Sequence, residues 1–536
     1  MGENDDRIST TRPAGSAANS RLVSFHEEVS MLVRKFSLAA LAMLVPVAAG
    51  AATRCDAVLA AFGKSLVGAT CFEKGDLTTN GDTTDVNPTT PPDNSIPGLP
   101  VGAYRPRTDR LVLVNPPSDV TAITTAVPGL QISGWFASDP AHEARFLLRL
   151  PNNWNGKLVV AGTPSQRSEF SSDYAWSDYV VQKGYAYASQ NKGVYGFYFV
   201  AAPTPPAIVP SDPLACRYNP TTAANLWLHF YDDDPGKPFT QWAQYMVDTA
   251  KLARTGTEAL YGSDPRFTYA VGTSNGGYQV RRAVEIAPQL FDGGVDWEGT
   301  YVEADAPNLL TDLPPAVLNY PDYATSGFSA SSTAAKNIEL AGYPPDIVGA
   351  ATTLWRLHYE NYWELTACQW QKRLDPTYNT YGSDLSGLAT YNYIARLSVP
   401  NVDVGAQLDA FATTGLIQKP LITVAGTEDS LLPIDHHARA YARAVAASLA
   451  AQPGYPHRPQ PAYRLYEVQN GNHIESYKNF FPALEYILPH AQTAFDLLVG
   501  NVEHGSALPP DQCIPRGGAI AAGPAEPGHC AALFVP

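Results

Sequence analysis

An α/β fold is predicted for this chain, with a mostly parallel central sheet, helices on both faces and one large inserted lid domain. Three observations predict it. Apolar runs rich in β-branched and aromatic residues alternate with stretches of helical period through most of the chain. The earliest runs are separated by turn residues, as antiparallel strands are, and the later ones by helices, as in parallel βαβ units. Between Asp305 and Gly415 the rhythm is lost, and the segment is helical in parts (Ile347–Arg373) and rich in Tyr, Trp and Pro. An interruption of that size between two strands of one sheet is read as a lid.

The elements follow in order. Leu77–Arg107 is rich in Thr, Pro, Asn, Asp and Gly without an apolar period, so it is read as a loop or linker with regular structure beginning after it. Arg110–Val114, Leu130–Phe136 and Arg145–Leu150 read as strands. The turn cluster Pro151–Gly156 leads into a buried strand, Lys157–Ala161, which runs into a Gly-containing loop. Tyr174–Lys183 reads as helix and Tyr185–Ser189 as strand. In Phe239–Tyr261 the residues Trp242, Tyr245, Met246, Thr249, Leu252 and Ala253 recur at helical spacing. Phe267–Val271 is a short strand ending at Gly272, and Gly276–Ile286 continues as a helix. After the insertion come strand Pro420–Ala425, helix Ile434–Ala451, strand Tyr463–Val468 and helix Ala483–Val499. The expected division is an N-terminal extension with signal (1–52), a core in two parts (53–304 and 416–503) around the lid (305–415), and a C-terminal tail (504–536).

Composition narrows the partners. Of 536 residues, 45% are hydrophobic and 16% charged, and 51 acidic against 36 basic residues give a net charge of -15. Nucleic acid and anionic lipid are polyanions, so an acidic surface argues against both. Met31–Lys35 is a basic n-region, Phe36–Val47 is almost wholly apolar, and Ala49–Ala51 offers small residues for cleavage. About a dozen apolar residues are too few to span a bilayer, so a cleaved signal peptide is expected, with translation starting at Met31 and a secreted or periplasmic product. Cys55, Cys71, Cys216, Cys368, Cys513 and Cys530 all follow that signal, none in CxxC spacing, and export makes disulfides their expected state. Proximity in sequence favours Cys55–Cys71 and Cys513–Cys530, which leaves Cys216 with Cys368.

The chemistry is carried by Val271-Gly-Thr-Ser-Asn-Gly-Gly277, a G-x-S-x-G motif with Ser274 at its centre. A serine nucleophile has to sit on a sharp strand-to-helix turn, and glycines on either side permit it, because a Cβ there collides with neighbouring backbone. An apolar strand ends at Gly272 and a helix begins just beyond, which is the context of an α/β-hydrolase elbow. Such a serine needs a base, and the base an orienting acid, in the chain order Ser, acid, His. Asp429 lies in the loop after strand Pro420–Ala425, with Glu428 and Asp305 as competitors, and His473 lies in the turn after strand Tyr463–Val468. His436 and His437 follow Asp429 too closely and are expected to face solvent. The oxyanion needs two backbone N–H donors. One is expected from Asn275. The other is expected from the loop after Val160, where Pro164 has no N–H and Thr163 or Ser165 remain.

Two further features have bland readings beside the functional ones. Tyr231-Asp-Asp-Asp-Pro-Gly236 could offer carboxylates to Ca²⁺ but lacks EF-hand spacing and reads as a solvated turn. Tyr359, Tyr362, Trp363 and Trp370 fit either a cleft lining or the core of the lid.

The Gly-Thr-Ser-Asn-Gly-Gly elbow, its helix, Phe291–Val295, Gly184–Gly193 and the long insertion together resemble two groups of secreted esterases. These are the tannase and feruloyl esterase group and the 3-hydroxybutyrate oligomer hydrolases. The resemblance covers roughly Leu130 to Val499, with the elbow as its specific part. Tannase-type enzymes join a cysteine before the catalytic serine to one before the catalytic histidine. Here those positions are Thr273 and Asn472, which implies a related esterase rather than a tannase. The elbow also resembles that of prolyl oligopeptidases, but their repeated propeller strands are not seen. The expected function is an exported serine esterase acting on a small or oligomeric ester, with no cofactor and no metal. A serine peptidase and an inactive hydrolase-fold binding protein are the alternatives.

Overall fold

The computed structural model describes residues 53–81, 120–140, 142–193, 197–200, 214–218, 220, 226–230, 239–378, 386–455, 457 and 459–536. The segment expected to be a signal, the strand expected at Arg110–Val114 and the turn expected at Tyr231–Gly236 lie outside these residues.

Ten strands form one sheet: β1 Leu66–Lys74, β2 Gly129–Phe136, β3 Arg145–Pro151, β4 Lys157–Gly162, β5 Ala186–Gln190, β9 Phe267–Thr273, β10 Gly293–Trp297, β11 Leu421–Gly426, β12 Tyr463–Val468 and β13 Gln512–Ile514. Their order across the sheet is β1-β2-β3-β5-β4-β9-β10-β11-β12-β13. The strands β1, β2, β3 and β5 pair antiparallel in succession, and every pairing from β5 across to β13 is parallel. The crossing of β4 and β5 and the run from β9 to β12 make this an α/β-hydrolase fold. The winding direction changes between β4 and β9, the switch point beyond which ligands bind in open α/β sheets.

Both faces are covered. Along β4, Leu158 and Val160 enter one core and Val159 and Ala161 the other. The first core takes Val58 of α1 (Arg54–Phe62), Met246 and Ala250 of α2 (Thr240–Tyr261), and Val280 and Val284 of α3 (Asn275–Ile286). The second holds Trp176 from the helical turns after β4 together with Phe495 and Leu498 of the last helix, which starts at Leu488. Central strands buried on both sides explain why they read as continuous apolar runs.

A second sheet, antiparallel, is formed by β6 (Phe197–Val200), β7 (Ala215–Tyr218) and β8 (Leu226–Phe230) in the order β6-β8-β7. Between β10 and β11 lie helices, among them α4 (Leu309–Thr325) and α5 (Glu364–Leu374). These two insertions meet. Cys216 of β7 is bonded to Cys368 of α5, Arg217 pairs with Glu364 at 2.8 Å, and Lys372 Nζ donates to the Ala215 carbonyl at 2.6 Å. Tyr359, Trp363 and Trp370 are buried in the aromatic core of this layer, so they pack it rather than line a cleft. Cys55–Cys71 and Cys513–Cys530 are also bonded.

Two expectations are corrected. Regular structure begins before Leu77, since α1 and β1 precede it; the half-exposed pattern of β1, an edge strand, hid it. Residues 512–514 form β13, a three-residue strand too short to show a period. The last helix starts at Leu488, not Ala483, because the Glu475 carboxylate accepts from the N–H groups of Ile487 and Leu488 and sets the helix start there. Among the described residues no helix is long and apolar enough to cross a membrane.

Candidate active site

Ser274 sits between the end of β9 and the start of α3. Its backbone has φ 59° and ψ -123°, a conformation that β-carbon-bearing residues avoid and that persists only where the surroundings impose it. The surroundings here are backbone. Gly162 at the end of β4 pairs with Gly272 of β9, and Gly276 of α3 lies against both. A Cβ on Gly276 would stand 2.5 Å from the Gly162 carbonyl carbon, and one on Gly272 would stand 2.3 Å from the Gly276 carbonyl oxygen. Three bare glycines therefore let the strand ends and the helix touch. Ser274 N–H donates to the Trp297 carbonyl of β10 at 2.9 Å, which completes the hold on the turn.

The structure brings Ser274, His473 and Asp429 together. His473 Nε2 lies 3.0 Å from Ser274 Oγ, and His473 Nδ1 lies 2.8 Å from Asp429 Oδ2. All three side chains are buried. A second glycine contact sets the loops that carry Asp429 and His473, because a Cβ on Gly426 would meet the Gly471 carbonyl oxygen at 2.3 Å. Glu428 N–H then donates to that carbonyl at 2.8 Å. Asp429 Oδ1 accepts from the N–H groups of Leu431 and Leu432 at 2.8 and 2.7 Å. Burial opposes the Asp429 charge, but the imidazole and these two N–H groups outweigh it and hold the carboxyl below its ordinary range. With Nδ1 facing a carboxylate, Nε2 is left to accept a proton from Ser274.

The competitors stand elsewhere. Asp305 is exposed. Glu428 is buried with both carboxyl oxygens unpartnered, and burial, reinforced by the charge of Asp346, pushes it up to about 8. His437 corrects an expectation. It is buried, not solvent-facing, and its Nδ1 accepts from Tyr301 N–H at 3.0 Å, while half-buried His436 pairs with Asp312 at 3.1 Å. The turn after Pro433 folds back against α4, a tertiary contact without a local sequence signal.

A carboxyl whose folded pKa exceeds its unfolded one costs stability as pH rises from the unfolded value of 4.5 toward about 8, because the unfolded chain ionises first. Glu428→Gln removes that cost. Thermal unfolding should show the variant gaining on the native protein by on the order of a few kcal/mol at about pH 9 and losing the advantage by about pH 4. Parallel curves across that range would show that Glu428 is ionised in the fold.

Two neighbours escaped the sequence reading. Glu298, just beyond β10, places Oε2 3.6 Å from His473 Nδ1. His358, from the helical layer, is buried, and its Nε2 lies 3.3 Å from the side chain of Asn472, which in turn donates to the Glu428 carbonyl at 2.6 Å. Burial lowers His358 to about 3, so it is neutral. The residue before His473 thus ties the loop of His473 to that of Asp429 and to the helical layer by hydrogen bonds.

Of the oxyanion candidates, Asn275 opens α3, where free N–H groups and the helix dipole favour negative charge. Thr163 N–H is turned to Gln279 Oε1 at 3.2 Å, and its carbonyl and hydroxyl accept from Lys192 Nζ at 2.7 and 2.6 Å. Ser165 has φ 43°, a left-handed turn in the same loop. Among the described residues, the only close group of metal-ligating atoms is Glu298, Asp429 and His473. It does not fit a metal, since both imidazole nitrogens already face Asp429 and Ser274.

A family model described as 3HB-oligomer hydrolase matches residues 388–532, a stretch that holds Asp429 and His473. The D-(-)-3-hydroxybutyrate oligomer hydrolase of Ralstonia nicotianae is 29% identical over 167 residues, 28% of this chain and 22% of that protein. That of Burkholderia ambifaria is 34% identical over 135 residues, 23% of this chain and 18% of that protein. The chain therefore matches about a fifth of the length of these curated relatives. Among solved structures, feruloyl esterase B from Aspergillus oryzae is 14% identical with a TM-score of 0.43, covering 73% of this chain and 84% of that one. Tannin acyl hydrolase from Aspergillus niger is 14% identical with a TM-score of 0.37, covering 76% of this chain and 89% of that one. This is an α/β-hydrolase-fold protein that resembles the 3HB-oligomer hydrolases over the part of the chain carrying Asp429 and His473.

Proposed function

We propose that this chain is an exported serine esterase that hydrolyses carboxylic esters, hydroxyalkanoate oligomers or aromatic esters, through an acyl-enzyme. The observation that carries the reading is the imidazole of His473 held between Ser274 Oγ and Asp429. Ser274 Oγ attacks the ester carbonyl as His473 Nε2 takes its proton. Asp429 holds the tautomer and offsets the imidazolium charge. Asn275 N–H and a second donor from the Thr163–Ser165 loop bind the oxyanion, with Ser165 favoured because Thr163 N–H already faces Gln279. The protonated His473 delivers its proton to the leaving alcohol, and water then releases the acyl group by the reverse sequence.

The segment 305–415 acts as the lid in this reading, and the small β6–β8 sheet bonded to it through Cys216–Cys368 belongs to the same roof. The named activity of the sequence relatives supports a hydroxybutyrate oligomer as substrate. The three disulfides support export, with the mature chain starting near Ala52.

One substrate panel tests the proposal: p-nitrophenyl acetate, a 3-hydroxybutyrate trimer, an aromatic methyl ester and a peptide p-nitroanilide, beside labelling by a fluorophosphonate. Labelling at Ser274 is expected, with hydrolysis of the esters and not of the anilide. Faster cleavage of the anilide would turn the reading to a peptidase. An unlabelled Ser274 would leave a binding protein on a hydrolase fold.

A further inference from the structure

We infer that Glu298 is a second orienting carboxyl for His473, standing behind Asp429 on the same edge of the imidazole. The inference rests on the triad proposed above. β10 and β11 are parallel neighbours with Trp297 opposite Val424, so the residues just beyond their ends emerge side by side. Glu298 leaves β10 and Asp429 leaves β11, and both reach Nδ1, at 3.6 and 2.8 Å.

The placement of Glu298 is constrained. Its backbone is left-handed, φ 51°, which is unfavourable for a residue with a long side chain. Its N–H donates to the Val424 carbonyl at 2.9 Å, and Oε1 accepts from Gly426 N–H at 3.0 Å. Bracing Gly426 occupies one oxygen. The other, Oε2, is buried without a hydrogen-bond partner and faces the imidazole. Two carboxylates buried against one neutral ring repel each other with little solvent to screen them, so one of them keeps a proton. Asp429, with two N–H donors on Oδ1, is the charged one. Glu298 is the neutral one: burial raises it, and the Asp429 charge raises it further, with a smaller rise from Glu475, while Gly426 N–H and the Trp297 indole work the other way and are outweighed. If Asp429 is removed, its repulsion goes with it. Glu298, still raised by its burial, then gives up its proton to solvent at a lower pH than before and, once ionised, accepts the Nδ1 hydrogen bond in its place.

Glu298→Gln keeps an acceptor for Gly426 N–H and removes only the ability to ionise, which separates positioning from bracing. The test is kcat/KM on p-nitrophenyl acetate against pH for Asp429→Ala, Glu298→Gln and the double variant. Loss of a triad acid alone costs about 10⁴-fold. With Glu298 standing in, Asp429→Ala is expected to lose only about 10²-fold, and the double variant the full 10⁴-fold or so. Glu298→Gln therefore costs about 10²-fold more without Asp429 than with it. The Asp429→Ala profile should also show activity rising with pH as Glu298 ionises, a limb absent from the double variant. Asp429→Ser, whose hydroxyl can still accept from Leu431 or Leu432 N–H, gives the same comparison if the alanine variant fails to fold. Equal costs in both backgrounds, or no such limb, would overturn the inference while Ser274 still labels with fluorophosphonate. An unlabelled native protein would overturn the triad reading, and this inference with it.

Discussion

Ser274→Ala is expected to lower kcat on p-nitrophenyl acetate by about 10⁴-fold or more and to abolish fluorophosphonate labelling. The Ser274 hydroxyl makes its hydrogen bond to His473 Nε2, so deleting it leaves packing intact, and thermal unfolding should move by no more than about 1 kcal/mol. His473→Ala should cost as much, and adding it to Ser274→Ala little more, because the two act as one unit. Asp429→Asn should lose about 10⁴-fold by presenting Nδ1 with the wrong partner. A Ser274 or His473 variant that keeps near-native esterase activity would show that the residue was given the wrong role.

Gly276→Ala is expected to lower activity by about 10²-fold without touching a reacting atom. The added methyl would stand 2.5 Å from the Gly162 carbonyl carbon, 2.6 Å from its oxygen and 2.8 Å from Thr163 N. All three are backbone atoms and cannot rotate away, so α3 must lift off the β4 loop. Overpacking of this kind costs about 1 to 3 kcal/mol. Parting the Asn275 N–H from the Thr163–Ser165 loop by about 1 Å should cost on the order of 10²-fold in kcat. Gly500→Ala is the matched control. It lies in the last helix with nothing nearer its new methyl than 3.7 Å, and it should stabilise by about 0.5 to 1 kcal/mol. Equal activity in the two variants would show that the glycine contact does not set the geometry of the turn.

Much of the core was legible because its signals are local. The strand, glycines and helix around Ser274 occupy one short stretch, and each strand buried on both faces announces itself as an apolar run. The pairing of all six cysteines was also within reach, since two pairs are close in sequence and the third follows by elimination. What stayed hidden depends on register between distant segments. Glu298 follows an unremarkable Gly-Gly-Val-Asp-Trp strand, and its nearness to His473 comes from the pairing of β10 with β11. The contact of His437 with Tyr301, and that of the small sheet with α5, likewise join residues more than a hundred positions apart. The strand β1 was hidden for another reason: an edge strand with half-exposed residues carries little period.

Residues 532–535 are hydrogen-bonded into the turns that hold Asp429 and His473. Asn470 trades hydrogen bonds with both the carbonyl and the N–H of Val535, at 2.6 and 2.8 Å, and Gln469 donates to the Ala532 carbonyl at 2.9 Å. Thr427 Oγ1, two residues before Asp429, donates to the Leu533 carbonyl. A change made within residues 532–535 is therefore felt at the turns of Asp429 and His473 together. For anyone producing this protein, an affinity handle is better placed just ahead of α1, downstream of the segment proposed to be removed on export, and a display or immobilisation format should leave residues 532–535 unburdened.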